Sequence, residues 1–197
     1  MRLLAKAYPR PKRTIVVGHW TSEEQGLNGS RAFAAAHPEI LRGLQALFNQ
    51  DTGTGRVSNV SAFGLVGAGE AWGRWASRLP EEITQHIKYS FPGSPSSGGS
   101  DHASFICAGA PAFMLGSNSW EYGSYTWHTN RDTYDKVSFD DVKNNATLVA
   151  MLAYLASEDP ETTGRARRVM PVSARTGQQT VWPECRSPIT KWEDYTR

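Results

Sequence analysis

"VVGHWTSEEQGLNGSRAFAAAHPEILRGLQALFNQDTGTG", residues 16–55, decides the fold. Its β-branched start, within "RTIVVGHW" (13–20), predicts a short buried strand, because basic, proline-rich sequence precedes it and polar sequence follows. "GSRAFAAAHPE" then predicts a helix with Ser30 as its cap and Pro38 as its stop. "GLQALFNQDTGTG" (43–55) is a second apolar run that ends at Asp51 in a glycine-rich turn, the pattern of a strand feeding a loop. Strand, helix and strand in this order imply an α/β domain with a mostly parallel, mixed sheet flanked by helices. Such sheets bind ligands at the carboxyl ends of their strands, which places Glu23, Glu24 and Asp51 on one rim.

The rest of the chain extends the pattern. "EAWGRWASRLPEEITQHI" sets Trp72, Trp75, Ala76 and Leu79 at helical spacing, a core stripe. "FPGSPSSGGSDHASF" is a polar loop whose Ser100 is placed to cap a helix through Phe105 and Cys107, and "APAFMLG" reads as another buried strand. "SFDDVKNNATLVAMLAYLASE" opens with Ser138 and Asp141 at capping-box spacing and repeats apolar residues at Val142, Leu148, Val149, Leu152 and Leu155. Residues 1–159 therefore make the domain. Residues 160–197, rich in Arg, Thr and Pro without periodicity, read as an extended tail.

Composition narrows the function by exclusion. The net charge of +2, from 21 basic and 19 acidic side chains, offers no field for nucleic acid or an anionic membrane. No apolar run is long enough to span a bilayer, and "MRLLAKAYPRPKR" is broken too early to form a signal-peptide core. Two cysteines, Cys107 and Cys185, are too few and too far apart to indicate a disulfide framework or a cysteine zinc site. Asn28, Asn59 and Asn145 each begin an Asn-x-Ser/Thr sequon. Gly-x-Ser-x-Gly and His-Glu-x-x-His are both absent, and His37-Pro38-Glu39 lacks the Cys-x-x-Cys partner of a zinc deaminase.

The adjacent glutamates have a mechanical reading. Neighbouring side chains leave opposite sides of the backbone, so one carboxylate can hold a metal while the other takes a proton from an attacking water. The nitrogen donor best placed to join them is His128, in the aromatic, turn-rich "YTWHTNRDT" beyond the "APAFMLG" strand. Carboxylates with imidazole suit Zn²⁺.

"TSEEQGLNGS", "NQDTGTG", "SDHASF" and "WHTNRDT", in that order, resemble the motifs of the two-zinc exopeptidases that include bacterial leucyl aminopeptidases and carboxypeptidase Q. The resemblance spans about residues 13–157 and implies Glu23 as general base, Glu24 and His128 as ligands of one zinc, and Asp51 as ligand of the other. It places Asp101 and His102 near the substrate, although Ser100 and Asp101 suit helix caps equally well; the aromatic loop from Trp120 to Trp127, including Tyr125, reads either as a substrate pocket or as packing. Asp132 and Thr133 are expected to hold the loop's shape. The implied substrate is a peptide or dipeptide cleaved near a chain end, in a secreted, periplasmic or lysosomal setting; oligomerisation is left open.

Two departures from the family pattern set expectations. Trp127 stands where many relatives carry an oxyanion-stabilising Tyr, leaving Tyr122, Tyr125 and His102 as alternatives. The family site also needs an upstream His and a metal-bridging Asp, yet the first Asp here is Asp51, and His19 falls inside the expected strand. The chain thus reads as the later part of the catalytic domain, without its amino-terminal strands. Three ligands split between two metals are too few for a stable site, so weak zinc binding and poor hydrolysis are expected. The rival reading is a non-catalytic fragment or interaction module that keeps the fold.

Overall fold

The computed structural model describes residues 1–96, 98–119 and 122–191. Four strands, β1 (Leu47–Asn49), β2 (Val57–Ser61), β3 (Lys88–Ser90) and β4 (Ala112–Ser117), form one sheet in the order β1-β4-β2-β3. β1 runs parallel to β4 and β3 parallel to β2, while β2 and β4 are antiparallel. This is the mixed, helix-flanked sheet expected from the sequence. β4 is apolar on both faces because both are covered, as befits an inner strand. At Gly116 a Cβ would fall 2.3 Å from Asn59 Oδ1 across the ladder, so a larger residue there would displace the Asn59 side chain.

Among the described residues there are seven α-helices: α1 (Arg2–Ala7), α2 (Asn28–Ala36), α3 (Pro38–Gly43), α4 (Val66–Ala76), α5 (Glu81–Thr84), α6 (Ala103–Ile106) and α7 (Phe139–Glu158). The Trp72 and Trp75 stripe of α4 lies on Phe113 of β4, with ring centroids 5.5 and 5.8 Å apart. α7 buries Leu148, Leu152 and Leu155 against the same core, while Val142 at its start is partly exposed. Among the described residues, no helix is long and apolar enough to cross a membrane.

Several local expectations are corrected. Residues 13–20 form no strand; Val16 and Val17 are 62% and 51% exposed. A strand needs a neighbour's backbone, and this segment is instead fixed by its ends. Arg13 N donates to Ser157 Oγ and its guanidinium to the Asp159 carbonyl, while Trp20 packs on Phe33. Ser30 caps nothing: it is fully buried inside α2, where its hydroxyl meets Ser104 Oγ at 2.8 Å. Pro38 starts α3 rather than only ending α2, its fixed φ suiting the first helical position. Ser100 likewise serves as acceptor for Asn49 Nδ2 at 2.7 Å rather than as a cap. Two sequons are closed to modification in this fold, because Asn28 and Asn145 are buried; Asn145 bonds Val57 N and the Gly55 carbonyl.

Cys107 and Cys185 are joined in a disulfide across 78 residues, a pairing that the cysteine count did not suggest. The segment after α7 runs back over the domain. Arg165 donates to the carbonyls of Leu41, Arg42 and Leu44 at the end of α3, Trp182 Nε1 donates to the carbonyls of Ile106 and Cys107, and Asn28 Oδ1 accepts from Ile189 N. Closing a loop of this length removes enough unfolded-chain entropy to stabilise the fold by about 4 kcal/mol.

Two buried ionisable groups make the fold sensitive to acid. Asp159, at the end of α7, accepts from Arg74 Nη2 at 2.9 Å, Trp75 Nε1 at 2.8 Å and Glu161 N at 3.0 Å. Burial pushes its carboxyl up, but these donors together hold it below the ordinary aspartate value. Asp159→Ala is predicted to cost about 3 kcal/mol, since it strands the buried Trp75 indole N–H and leaves the Arg74 guanidinium only its exposed partner Glu161; Asp159→Asn should cost clearly less. Equal midpoints for the two variants in urea unfolding would refute this assignment.

His102 is 3% exposed, stacked on Phe63 at 4.2 Å, with neither ring nitrogen partnered among the described residues. Burial lowers its pKa from 6.5 to about 4. Between these values the unfolded chain binds a proton that the folded chain does not. Stability is therefore predicted to fall by about 3 kcal/mol on acidification from pH 6.5 to 4, and His102→Phe should flatten that slope. Chemical denaturation across this range measures both.

Candidate active site

The Glu23–Glu24 turn is locked by its own backbone. Gly26 N and Leu27 N both donate to the Glu23 carbonyl, Asn28 N to that of Ser22, and Gly29 N to that of Thr21. A Cβ on Gly29 would stand 2.6 Å from the Thr21 carbonyl oxygen, so this close crossing admits only glycine. Ser22 and Leu27 are left with positive φ of 55° and 60°.

Asp51 follows β1 on a loop pinned to the end of β4: Gln50 Nε2 donates to Ser117 Oγ at 3.1 Å and Ser117 N donates to Thr52 Oγ1 at 2.7 Å. Gly53, at φ +75°, lets Tyr122 lie against the loop, since a Cβ there would meet the ring at 2.6 Å. Downstream, a π-helical turn at Tyr122–Thr126 carries the chain to His128, itself at φ 57°. Trp127 covers the His128 ring at 4.2 Å, and Thr129 Oγ1 closes the turn on the Thr126 carbonyl.

These three loops meet. His128 Nε2 lies 2.8 Å from Glu24 Oε2, a contact between residues more than a hundred positions apart. Glu23 is pushed up to about 7, first by burial and then by the negative charges of Asp51, Glu24 and Asp101, with His128 pulling the other way. Asp101 is itself raised, mainly by burial, and Asp51 adds to this. The Tyr122 hydroxyl is raised by burial and by Asp51, Glu24, Asp132 and Glu23. Tyr122 thus belongs to the cluster, although sequence had named it only as one substitute for the absent tyrosine.

Other expected site residues lie differently. His102 is enclosed against Phe63 and contributes no charge to Glu23. Tyr125 and Trp127 are 40% and 50% exposed on the loop, Tyr125 under the Arg131 guanidinium at 5.0 Å. Thr133 Oγ1 donates to Asp135 Oδ1, which fixes the loop locally. Trp120 lies outside the described residues. The four non-glycine residues with positive φ, Ser22, Leu27, Phe63 and His128, all belong to or touch these elements, the placement typical of strain held at a working site.

Donor kinds and charge suit a divalent cation: two oxygens and an imidazole suit zinc, and a cation would relieve the repulsion that keeps a proton on Glu23. Donor number is short of a shell. Glu24 and His128 pair, but among the described residues no three His, Cys, Asp or Glu side chains stand together as a metal site.

Known proteins resemble this chain in sequence and in fold. Leucine aminopeptidase 1 of Neurospora crassa is 32% identical over 146 residues, covering 69% of this chain and 35% of that protein. Leucine aminopeptidase 1 of Coccidioides posadasii is 30% identical over 146 residues, with 69% and 37% covered. The chain thus spans about a third of the length of the curated relatives that it matches. Among solved structures, a Peptidase M28 precursor from Shewanella amazonensis superposes with TM-score 0.65 at 22% identity, covering 78% of this chain and 34% of that one. LapA of Legionella pneumophila superposes with TM-score 0.55 at 22% identity, covering 71% and 39%. Residues 1–153 match the family described as Peptidase family M28, and the chain belongs to that family.

Proposed function

We propose that this chain carries part of the catalytic site of a zinc-dependent exopeptidase of the aminopeptidase kind. The observation that supports this most is the meeting of Glu24 and His128 beside a Glu23 whose carboxyl is pushed up by burial and by surrounding carboxylates. Glu24 and His128 would hold one zinc ion and Asp51 another. When bound, zinc supplies Lewis-acid polarisation of the scissile carbonyl and of water. Glu23, adjacent to a ligand but free of the His128 contact, takes the proton from the attacking water and returns it to the leaving amine. The Tyr122 hydroxyl is the donor suited to the oxyanion that develops on the carbonyl. Tyr125 and Trp127 offer an apolar wall to a substrate side chain, and Asp101 an acceptor for a free amine.

The shortage of donors favours low activity for this polypeptide alone, or a non-catalytic role that retains the fold. The Cys107–Cys185 disulfide supports an oxidising compartment, secreted, periplasmic or lysosomal.

Three variants of the full chain test these roles. Purified wild-type protein is expected to take up zinc weakly, losing it on dialysis, and to cleave aminoacyl substrates slowly. Glu23→Gln should lower that turnover by about 10²–10⁴-fold with zinc uptake unchanged, because only the base is altered. His128→Ala and Glu24→Ala should each lower zinc uptake itself. Turnover that survives Glu23→Gln would remove Glu23 from its role, and two tightly held zinc ions with fast turnover would overturn the expectation of weak activity. Unmeasurable wild-type turnover with intact folding would favour the non-catalytic reading.

A further inference from the structure

A cavity of about 390 Å³ is framed by α2, α3 and α6 and closed by the chain around Cys185. This volume lies in the range of small-molecule sites. Ala34, Leu41 and Ala103 give it an apolar floor, whereas the remaining lining carries four guanidinium groups and one carboxylate, Glu184.

The arginines are not equivalent. Arg165 is committed to three backbone carbonyls of the α3 end, and Arg42 has Glu39 as a neighbouring opposite charge. Arg31 and Arg186 both line the hollow, and burial together with the like charge of Arg186 lowers the Arg31 pKa. None of the ion pairs among the described residues uses Arg31 or Arg186. Two guanidinium groups that line one apolar hollow and enter no ion pair among the described residues are stabilised by an anion placed between them, since Glu184 is the single carboxylate of a lining that holds four guanidinium groups. A bare inorganic anion would leave the apolar floor unused; an organic carboxylate uses both.

We propose that this cavity binds a short apolar peptide or amino-acid derivative through its free carboxylate, which lies between Arg31 and Arg186 with the apolar side chain on the Ala34, Leu41 and Ala103 floor. The planar carboxylate matches the fork of a guanidinium, and the buried Leu41 and Ala103 of the floor give an apolar side chain a surface to cover. The site is distinct from the carboxylate cluster, yet α2 and α6 frame it, and the turns leading into those helices carry Glu23, Glu24, Asp101 and His102. It does not rest on the peptidase reading, and binding rather than turnover is its measure.

Calorimetric titration of the full chain with N-acetyl-leucine tests it, with N-acetyl-leucinamide and acetate as controls that lack the charge and the apolar body. Saturable binding of N-acetyl-leucine is expected, with both controls weaker by at least about tenfold. Arg31→Ala and Arg186→Ala should each weaken it by about tenfold or more without changing the circular dichroism spectrum; the exposed Arg186 keeps the test valid if the Arg31 variant misfolds. Failure of N-acetyl-leucine to bind, acetate binding of equal strength, or binding untouched by either arginine variant would overturn the proposal. So would binding that is lost in His128→Ala and retained in Arg31→Ala, since that places the ligand among the carboxylates.

Discussion

β4 pairs on both sides, parallel to β1 and antiparallel to β2, and its far end is where the loops that carry Asp51 and His128 are tied. Ser117 N holds Thr52, Asn118 N holds the Arg56 carbonyl, and Asn59 fills the space that Gly116 leaves open. Without that strand in register, the Asp51 loop would have no anchor and the His128 loop, which leaves β4 directly, would have no fixed origin. The aromatic pile of Phe113 on Trp72, Trp75 and Phe48 secures the register from inside. One residue of slip would turn Phe113 away from this pile and the whole rim with it.

The site collects charges of one sign, and that gathering works against folding. Glu24, Asp51 and Asp101 all act on Glu23, Asp51 acts also on Asp101, and His128 partly offsets them at Glu23. The scaffold tolerates the repulsion because tight backbone turns fix the groups: glycine crossings at Gly29 and Gly53, left-handed residues at Ser22, Leu27 and His128, and a π-helical turn at Tyr122–Thr126. Stability comes from elsewhere, chiefly the α4 and α7 faces on the sheet and the Asp159 knot.

Much of this was legible in the sequence where local pattern and tertiary demand coincide. The 3.6-residue stripes of α4 and α7 and the short apolar runs of β1 and β4 found their partners, and the four motifs of the rim read correctly as belonging to one family. Residues 13–20 misled because a β-branched run records what a segment could pair with and not whether a neighbouring edge is offered. Ser30 and Ser100 misled for a related reason: a hydroxyl that suits a cap locally can be claimed by a distant acceptor or donor, here Ser104 and Asn49. Neither the Cys107–Cys185 pairing nor the arginine cavity has a local signature, since both arise only when the last part of the chain lies across α6.

That crossing also divides the molecule topologically. The disulfide closes a covalent ring that contains β4, the His128 loop and α7, while Glu23, Glu24 and Asp51 lie on the linear segment before it. The two halves of the rim are therefore carried by a ring and by the chain that leads into it. A single backbone cut within the exposed His128 loop opens the ring without parting the chain, so both pieces stay joined until a reductant acts. In a protease-rich, oxidising environment, such a nick alters shape before it alters mass.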